Sequence, residues 1–462
     1  MTTLRTQRSS APVRPRVVPL WWRDVCGLTA WMSVLFVVAL WVSGRGLQNL
    51  SGDPLTSLGR LTGLVSADLL LLQVLLMARI PWAERSYGQD ELARRHRLVG
   101  FGSVSLMLAH IGLISLGYAV TDHSGLVGEV WSLVTTYPGM LLATAGTLAL
   151  ILVAATSIRA ARRKLRYESW HLLHLYAYLG VGLALPHQLW TGADFTSSAA
   201  ATVFWWTAYA VAAGALLIFR VAVPVARNLR HRLVVERVVR EGPGVVSVYL
   251  RGRELHRLPA AAGQFFVWRF LDGPGCSRGH PFSLSAAPDG AWLRITAKAL
   301  GEGSARLARL RPGTRVLFEG PYGRLGTIRT SPKVTLIAAG VGITPLRAML
   351  EAMPYRPGEA VLLYRAGSAA DLLFRQELEA IAAGRGVRLT YLHGRRARGR
   401  VSWLPARHAG ASDEQVLRRL VPDIAEHDVY VCGPGEWTAS VVAAARAAGV
   451  PASRVHTESF AW

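Results

Sequence analysis

The stretch Trp170-His171-Leu172-Leu173-His174, continued by Leu185-Pro186-His187, decides the fold of this chain. It belongs to an apolar run long enough to cross a bilayer, where ionisable side chains are costly and are therefore usually functional. A second apolar run is flanked by His96 and His110, which are 14 residues apart, while His174 and His187 are 13 apart. At 1.5 Å per residue, each spacing separates two imidazoles by roughly 20 Å along a helix. Two antiparallel helices could therefore pair His96 with His174 and His110 with His187.

Neutral imidazole is a good axial ligand for haem iron, so two such pairs predict two stacked bis-histidine haems that form an electron path across the membrane. Fourteen residues are close to four helical turns, whereas thirteen leave His187 off the line of His174 unless Pro186 kinks the helix. His171, one turn before His174, is an alternative inner ligand. The other interpretation is that these histidines lie at helix interfaces and bond to the backbone.

Length and composition bound the class of protein. The 462 residues suggest two to four domains, and the hydrophobic content of 51% is concentrated in the first half. The three cysteines, Cys26, Cys276 and Cys432, are far apart and predict neither a disulfide framework nor a zinc site. The net charge of +23 comes almost entirely from arginine. Nucleic-acid binding is the alternative explanation, but the arginines alternate with apolar spans, so an anionic lipid leaflet and an anionic nucleotide are the expected partners.

Six apolar segments approach the roughly 20 residues that a transmembrane helix needs. They cover residues 25–42, 61–80, 97–120, 137–158, 170–190 and 199–221. Residues 1–23, polar and rich in arginine and proline, are predicted to be a disordered cytoplasmic tail. Residues 24–223 are predicted to form an all-α six-helix membrane bundle.

Positive charge lies on alternate sides of these segments, which predicts their orientation in a cell membrane. The tail and the loops after the second, fourth and sixth segments are basic: Arg5, Arg8, Arg14, Arg16 and Arg23; Arg79, Arg85, Arg94, Arg95 and Arg97; Arg159, Arg162, Arg163, Lys164 and Arg166; Arg220, Arg227, Arg230 and Arg232. The opposite loops carry only Arg45 and Arg60. Both termini are therefore expected in the cytoplasm, with His96 and His174 near the inner face and His110 and His187 toward the outer face.

The pattern changes near Leu233 from apolar runs to short β-type segments broken by glycine and proline. Closely spaced short strands predict an antiparallel β-barrel domain over residues 231–328. From residue 329 to 462 strands alternate with helices, which predicts an α/β domain with a doubly wound parallel sheet. Its predicted strands are 334–338, 360–364, 387–392 and 428–432, and its predicted helices are 345–353 and 372–383.

Glycine-rich turns indicate nucleotide chemistry in this second half. The predicted strand 334–338 leads into Gly340-Val341-Gly342-Ile343-Thr344-Pro345, where the glycines allow the backbone to approach a pyrophosphate and a helix starts at Thr344 or Pro345. The turn Gly301-Glu302-Gly303-Ser304, preceded by Lys298, could hold a diphosphate through its amides. In His280-Pro281-Phe282-Ser283 the serine hydroxyl can reach a flavin ring nitrogen, and Cys432-Gly433-Pro434 follows a strand at the ligand-binding edge of the sheet.

This order of motifs resembles the ferredoxin–NADP reductase-like FAD/NAD(P)H modules. Joined to six spans with paired histidines, the chain from about Val25 to Trp462 resembles the ferric reductase/NADPH oxidase superfamily, of the bacterial kind. The resemblance implies flavin contact for His280, Pro281, Phe282 and Ser283, pyrophosphate contact for the turn from Gly340 to Pro345, and a place beside the nicotinamide for Cys432, Gly433 and Pro434. It also implies that Phe460, in the terminal aromatic segment, covers the flavin, and that His96, His110, His174 and His187 hold haem.

The resemblance implies an enzyme that takes electrons from cytoplasmic NAD(P)H through FAD and two b-type haems to an external acceptor, with Ser283, Cys432 and Phe460 as catalytic residues. Molecular oxygen, a ferric chelate and a partner protein all remain possible acceptors. Arg365, with help from Arg375, Arg395 and Arg396, would bind the 2′-phosphate of NADPH. These residues could also be surface arginines, with NADH as the electron donor. The alternative function is a haem-poor membrane anchor whose flavin module reduces a cytoplasmic partner protein.

Overall fold

The computed structural model describes residues 21–162, 164–165, 167–273, 275–276, 278–326, 329–396 and 401–458. Residues 1–20 of the predicted tail, and Phe460, lie outside these residues. The chain divides into a helical unit, Val18–Val223, and a second unit that contains Pro224–Trp462. Each unit is described by itself.

The helical unit is built from eleven α-helices in the part of the chain that the structure describes. They are α1 Trp21–Ser43, α2 Gly46–Asn49, α3 Pro54–Met77, α4 Pro81–Tyr87, α5 Gln89–Thr121, α6 Leu126–Thr136, α7 Met140–Ser157, α8 Arg159–Arg162, α9 Tyr167–Trp190, α10 Ala193–Thr196 and α11 Ala199–Ala215. A π-helical segment, Leu216–Ala222, joins α11 to α12, Val223–His231, without a break.

Among the residues that the structure describes, five helical segments are long and apolar enough to cross a membrane: α1, α3, α5, α7 and the continuous segment Ala199–His231. Many large apolar side chains on these helices face outward, as Phe101 does with 78% of its surface exposed. Such a surface suits lipid and not water. The chain is therefore a multi-pass membrane protein. The predicted count of six spans, with α9 as the fifth, stays a prediction.

Two helix starts differ from the prediction. Helix α1 begins at Trp21, so the last three residues of the predicted tail are helical. Helix α5 begins at Gln89, after Gly88 with a φ of 79°, so His96 lies two turns inside it and not at its edge. Arginine is a good helix former, and charged residues therefore extend a helix beyond its apolar run. Pro186 lies inside α9, which continues to Trp190.

Packing in the helical unit depends on small residues and on capping. Asp53 caps α3 by accepting the Thr56 backbone N–H at 3.1 Å, with Pro54 as the first helical residue. Gly146 on α7 and Gly180 on α9 face each other so closely that a Cβ on either would lie within 3 Å of the other's carbonyl oxygen. Helix α3 packs along α5, and α7 packs along α9.

The first domain of the second unit consists of two three-stranded antiparallel sheets. The strands are β1 Val234–Gly242, β2 Val245–Arg251, β3 Phe265–Phe270, β4 His280–Ser283, β5 Trp292–Lys298 and β6 Val316–Tyr322, and a short helix, α13 Glu302–Arg306, follows β5. The sheet orders are β1-β2-β5 and β4-β3-β6. Bridges from Val234 to Arg315 and from Leu284 to Ile295 link the sheets around a core of Phe266, Trp268 and Phe318.

The second domain confirms the predicted parallel sheet. Its elements are β7 Val334–Ala339, α14 Ile343–Ala352, β8 Ala360–Ala366, α15 Arg375–Arg385, β9 Arg388–His393, α16 Asp413–Leu420, β10 Asp428–Cys432, α17 Gly435–Ala447 and β11 Val455–Glu458. The strand order is β11-β10-β7-β8-β9, with all pairs parallel. Helices α14 and α15 cover one face and α16 and α17 the other. The helices α16 and α17 and the strand β11 were not predicted.

Candidate functional site

The helical unit brings the four predicted histidines together as two pairs. The ring centroids of His96 on α5 and His174 on α9 are 5.8 Å apart, with an interplanar angle of 65°. Those of His110 and His187 are 6.5 Å apart, with an angle of 44°. Since α5 packs along α3 and α9 along α7, the two histidine pairs join these two helix pairs.

Each of the four rings makes a hydrogen bond through Nδ1. His96 Nδ1 lies 3.2 Å from the Gln73 carbonyl oxygen, and His110 Nδ1 lies 2.8 Å from that of Gly59. A carbonyl only accepts, so both rings carry their hydrogen on Nδ1 and present the Nε2 lone pair. The partners of the α9 rings are hydroxyls: Ser157 Oγ at 3.2 Å from His174 Nδ1 and Thr191 Oγ1 at 2.7 Å from His187 Nδ1. This is the arrangement in which histidine ligates a metal through Nε2 while an outer partner fixes the ring.

The geometry of both pairs fits a haem iron. Iron–nitrogen bonds of about 2.0 Å on both sides of a porphyrin place the two imidazole centroids roughly 6 Å apart. The observed 5.8 and 6.5 Å lie on either side of that value. Gln73 and Gly59 are 14 residues apart on α3, the same spacing as His96 and His110 on α5. The antiparallel α3–α5 pair therefore supports both rings in one register.

A glycine makes room for the ring of His110. A Cβ on Gly63 of α3 would lie 2.5 Å from His110 Nδ1, which is closer than real Cβ contacts come. Leu70, Met107 and Leu150 form a small apolar core between α3, α5 and α7, against which Ala177 and Val181 of α9 pack. The ring paired with His96 is that of His174, and His171 as the alternative ligand stays a prediction that the structure does not test. Within the described residues no group of three or more His, Cys, Asp or Glu side chains could hold a metal ion.

The predicted flavin motif forms β4, which pairs with β3 so that Ser283 lies opposite Phe265 and Phe282 opposite Phe266. The Trp268 indole N–H donates to the Phe282 carbonyl at 3.0 Å and fixes this strand. Ser283 is 4% exposed, and its Oγ has no hydrogen-bond partner in the described part of the chain. A buried hydroxyl without a partner is costly, so it indicates a ligand that completes the hydrogen bond. A flavin ring nitrogen or carbonyl fits this requirement.

A small basic pocket lies beside β4. It is lined by Phe270, Asp272, Gly275, Arg278, His280, Gly303, Arg306, Leu307 and Leu310. A Cβ on Gly303 would lie 2.3 Å from the His280 ring, so the glycine turn and the histidine are in direct contact. Burial and the nearby guanidinium groups of Arg278, Arg306 and Arg269 lower the pKa of His280. Arg278 and Arg306 make the pocket a candidate contact for an anionic group, although Arg306 also pairs with Asp272 at 2.7 Å.

Ser304 and Lys298, which were also predicted near the diphosphate, are not among the residues that line this pocket. The Ser304 hydroxyl donates to the Gly301 carbonyl at 3.1 Å and accepts from the Leu300 and Gly301 amides, so it stabilises its own turn. Lys298 lies at the end of β5 and is exposed. Contact with a diphosphate would therefore come from the pocket side chains and from the backbone near Gly303.

Two glycine turns meet at the carboxyl edge of the parallel sheet. Gly340 adopts a φ of 54°, and the residues Gly340–Gly342 form a 3₁₀ turn that leads into α14, with Pro345 in its first turn. A Cβ on Gly342 would lie 2.2 Å from the Cys432 carbonyl oxygen, and one on Gly433 would lie 2.5 Å from the Trp437 ring. The Thr344 hydroxyl donates to the Val341 carbonyl at 2.9 Å. This edge is where ligands bind in open α/β sheets.

Cys432 is buried at the end of β10, where its thiol contacts the Glu458 carbonyl at 3.8 Å. Burial and the charge of Glu458 raise its pKa well above the ordinary value, so the thiol is protonated. Cys432 can therefore shape a site, but it does not supply a thiolate nucleophile.

Arg365, predicted to read a 2′-phosphate, is 7% exposed and bonds to backbone carbonyls of Ala366, Leu392 and Gly394. Burial and the positive charges of Arg396 and Arg407 lower its pKa. Arg396 and Arg407 are exposed at the same end of the sheet, whereas Arg375 pairs with Glu379 at 2.9 Å. Arg407, which the sequence did not single out, donates to the His393 carbonyl at 2.9 Å and to the Tyr391 carbonyl at 3.4 Å.

A membrane unit with facing histidine pairs, joined to a β domain and a parallel-sheet domain with nucleotide turns, defines an electron-transfer oxidoreductase. Comparison with known families agrees. The family described as "Ferric reductase like transmembrane component" matches residues 62–185, which include His96, His110 and His174 and end two residues before His187. The family described as "Oxidoreductase NAD-binding domain" matches residues 336–442.

Individual relatives share the reductase part. Ferredoxin–NADP reductase B of Sorangium cellulosum is 36% identical over 211 residues, which are 43% of this chain and 84% of that protein. An NADPH oxidoreductase of Mycobacterium tuberculosis is 30% identical over 246 residues, 51% of this chain and 61% of that protein. Among solved structures, the FAD/NAD-binding domain of the nitric oxide dioxygenase of Vibrio cholerae is 23% identical, covers 50% of this chain and 99% of that domain, and has a TM-score of 0.39. This chain belongs to the family that joins a ferric reductase-like transmembrane component to a ferredoxin–NADP reductase-type FAD/NAD(P)H module.

Proposed function

We propose that the protein is a six-span membrane oxidoreductase that passes electrons from cytoplasmic NAD(P)H through FAD and two b-type haems to an acceptor on the outer side. The observation that carries this proposal is the pair of imidazole separations, 5.8 and 6.5 Å, with each ring bonded through Nδ1. The alternation of arginine-rich loops supports cytoplasmic termini in the cell membrane, with His96 and His174 on the inner side.

In this proposal His96 and His174 hold the inner haem, and His110 and His187 hold the outer one. The carbonyls of Gln73 and Gly59 keep the Nε2 lone pairs of the α5 histidines available, which raises their basicity as ligands. The haems would supply one-electron transfer, while the helices fix their positions and exclude water. None of the four ligands needs to change its protonation state during turnover.

In the reductase module the proposal assigns the flavin to β4. Ser283 Oγ, which has no hydrogen-bond partner among the described residues, would bond to the flavin, and Pro281 and Phe282 would line the flavin ring. FAD, when bound, would take two electrons from the nicotinamide and release them singly. The turn from Gly340 to Pro345 would hold the pyrophosphate of NAD(P)H, with Cys432, Gly433 and Pro434 beside the nicotinamide, and Phe460 would cover the flavin.

We assign NADPH as the donor, since Arg365, Arg396 and Arg407 gather positive charge at the carboxyl end of β8 and β9. A 2′-phosphate would relieve their mutual repulsion. The outer acceptor is proposed to be molecular oxygen, giving superoxide, or a ferric chelate. Superoxide yield and ferric-chelate reduction measured on one preparation distinguish the two.

The ratio of haem to flavin in the purified full-length protein tests the proposal. The wild type is expected to hold two haems per FAD, and His110→Ala and His187→Ala one each. The matched control is His123→Ala, an exposed histidine in the loop after α5, which should keep two haems. Zero haem in the wild type would refute the proposal and favour the alternative, a membrane-anchored flavin reductase that serves a cytoplasmic partner.

A further inference from the structure

A charge cluster joins the two domains of the second unit: the first domain, which contains the predicted flavin motif, and the second domain, which contains the parallel sheet. Glu377, in the first turn of α15, receives two hydrogen bonds from Arg294 of β5, at 2.9 and 3.0 Å. Arg347 of α14 reaches the same carboxylate at 2.8 Å. The side chains of Arg294 and Arg347 are only 2% and 9% exposed. One carboxylate, on a side chain that is 35% exposed, therefore binds a buried arginine from each domain.

The same two arginines hold the segment that follows the flavin motif. Arg294 donates to the Ser285 carbonyl at 2.8 Å, and Arg347 donates to it at 3.3 Å. Arg347 also pairs with Glu351 at 2.6 Å, and the Glu351 carboxylate accepts the Ala287 backbone N–H at 2.8 Å. Ser285 and Ala287 follow Ser283 by two and four residues. The cluster thus connects the end of β4 to α14, the helix that continues the Gly340 turn.

We propose that Glu377 is a positioning residue for hydride transfer, because it clamps Arg294 and Arg347 and so fixes the nucleotide turn relative to Ser283. This inference rests on the proposed function, which makes these two segments the flavin and nicotinamide sites. A shift of about 1 Å between the two reactants can cost on the order of 100-fold in rate, so a clamp between the domains has kinetic consequences. The two arginines lower the pKa of Glu377 despite its burial, which keeps the clamp charged at neutral pH.

The substitution Glu377→Gln tests the clamp, because it keeps the shape of the side chain and removes the charge. Arg294 would then face a neutral amide in place of its carboxylate, while Arg347 would keep its pair with Glu351, and removing the charged partner of a buried arginine is strongly unfavourable. Glu414→Gln is the matched control: Glu414 forms an exposed pair with Arg418 at 3.0 Å on α16. Neither residue contacts the proposed cofactors.

Two measurements on the full-length protein decide the outcome. Amide hydrogen exchange of residues 284–288, recorded without nucleotide, should be at least about fivefold faster in Glu377→Gln than in the control, since the Ala287 N–H depends on the cluster. The limiting rate of flavin reduction by NADPH in stopped flow should fall about tenfold, with the Kd for NADPH within about twofold and dithionite reduction unchanged.

The proposal is overturned if exchange in residues 284–288 is unchanged, or if exchange rises while the limiting rate stays at that of the control. A wild type whose flavin is not reduced by NAD(P)H would refute the proposed function, while the exchange result would still report on the clamp. If Glu377→Gln fails to retain FAD, Glu351→Gln replaces it. That variant removes the exposed carboxylate of the cluster, which accepts the Ala287 N–H, and should show the same changes to a smaller extent; unchanged exchange there would also overturn the proposal.

Discussion

Thr191, the residue that follows α9, forms a closed pair of hydrogen bonds with His187 in the last turn of that helix. The Thr191 hydroxyl lies 2.8 Å from the His187 carbonyl oxygen and 2.7 Å from its Nδ1. A hydroxyl has one hydrogen, and the carbonyl can only accept, so the hydroxyl donates to the carbonyl and accepts from Nδ1. The ring of His187 is thereby held with its hydrogen on Nδ1 and its lone pair on Nε2.

Thr191→Val should therefore weaken the outer haem specifically. Loss of an outer partner of a ligating histidine typically lowers metal affinity by about 10- to 100-fold. We expect the haem-to-flavin ratio to fall toward one after extended detergent dialysis, with the remaining haem still reduced by dithionite. Thr135→Val is the control, because Thr135 makes the same bond to a carbonyl four residues earlier, at 2.8 Å, on a helix without a predicted ligand. Equal haem loss in both variants would contradict the prediction.

Gly63→Ala should displace the His110 ring. The added Cβ would lie 2.5 Å from His110 Nδ1 and 2.9 Å from Cε1, so either the ring or α3 must move. We expect about one haem per flavin, measured by pyridine haemochrome against released FAD, since pre-organised ligand geometry is lost. Gly112→Ala on α5 is the matched control, because a Cβ there meets nothing within 4 Å. Two haems in Gly63→Ala would show that the ring is not confined as the structure indicates.

Ser283→Ala and Ser285→Ala should have opposite effects on the FAD-free protein. Ser283 Oγ has no partner in the described residues, so removing it should leave the thermal stability of the apo form unchanged or higher. Ser285 Oγ accepts a hydrogen bond from Thr296 at 2.7 Å, so its loss should destabilise the apo form by about 1–2 kcal/mol.

In the presence of FAD, Ser283→Ala should have the larger effect of the two substitutions. Ser283→Ala should weaken FAD binding by about tenfold, as expected for one lost hydrogen bond in a buried site. Fluorescence titration of FAD and thermal unfolding of both forms measure these quantities. A destabilised apo form of Ser283→Ala, or unaltered FAD affinity, would remove Ser283 from the flavin site.

Arg396→Ala should lower the preference for NADPH over NADH. Loss of one charge-assisted contact to a phosphate should raise the KM for NADPH by about tenfold and leave that for NADH unchanged. Arg388→Ala is the control, since Arg388 is exposed at the opposite end of the same strand, β9. Steady-state kinetics with both nucleotides decide the point. A parallel rise in both KM values would indicate a structural role for Arg396.

Sequence spacing predicted which histidines meet, but it could not predict what holds them. The 14-residue interval from His96 to His110 is visible in the sequence, whereas the carbonyls of Gln73 and Gly59 are not, because every residue has a carbonyl. Thirteen residues place His187 off the line of His174 on an ideal helix, yet it faces His110. The backbone of His187 lies against the start of α7, where a Cβ on Gly139 would come within 2.8 Å of the His187 nitrogen.

The turns at the strand ends could be located because glycine at a crowded turn leaves a strong sequence signal, as Gly342 and Gly433 show; their contact with a nucleotide stays a prediction. An arginine leaves a weaker sequence signal of its role than such a glycine does. Arg365 occupies the predicted strand end, but its guanidinium is bound to backbone carbonyls, and only tertiary structure distinguishes such a group from one that faces a phosphate. The clamp around Glu377 was not predicted, because its members are distant in sequence and belong to three elements. The role of Phe460 lies outside the described residues and stays a prediction.

Asp428 should make the stability of the reductase module depend on pH. It is buried at the start of β10, where it accepts the backbone N–H groups of Thr330 and Ser331, each at 2.6 Å, and lies 3.2 Å from His456 Nε2. Burial alone would raise its pKa, but the hydrogen bonds from His456, Ser331 and Thr330 outweigh that effect and lower the pKa. A carboxyl with a lowered pKa binds protons more weakly in the folded state. Its stabilising effect is therefore complete above the unfolded value of about 3.9 and is lost as the pH falls toward the folded value.

Asp428→Asn should thus cost about 2 kcal/mol of unfolding free energy at pH 7, because an amide cannot accept all of these bonds as a carboxylate does. The difference from the wild type should shrink as the pH falls from about 5 to 3, since protonation weakens the wild type alone. Urea unfolding of the full-length protein, followed by release of flavin fluorescence at several pH values, measures the difference. Glu414→Gln, at an exposed pair, should stay within about 0.5 kcal/mol of the wild type throughout. The difference in unfolding free energy between the wild type and Asp428→Asn could instead stay constant with pH. That result would mean that the charge of Asp428 does not stabilise the fold and that only the shape of its side chain is needed between β10 and residues 330–331.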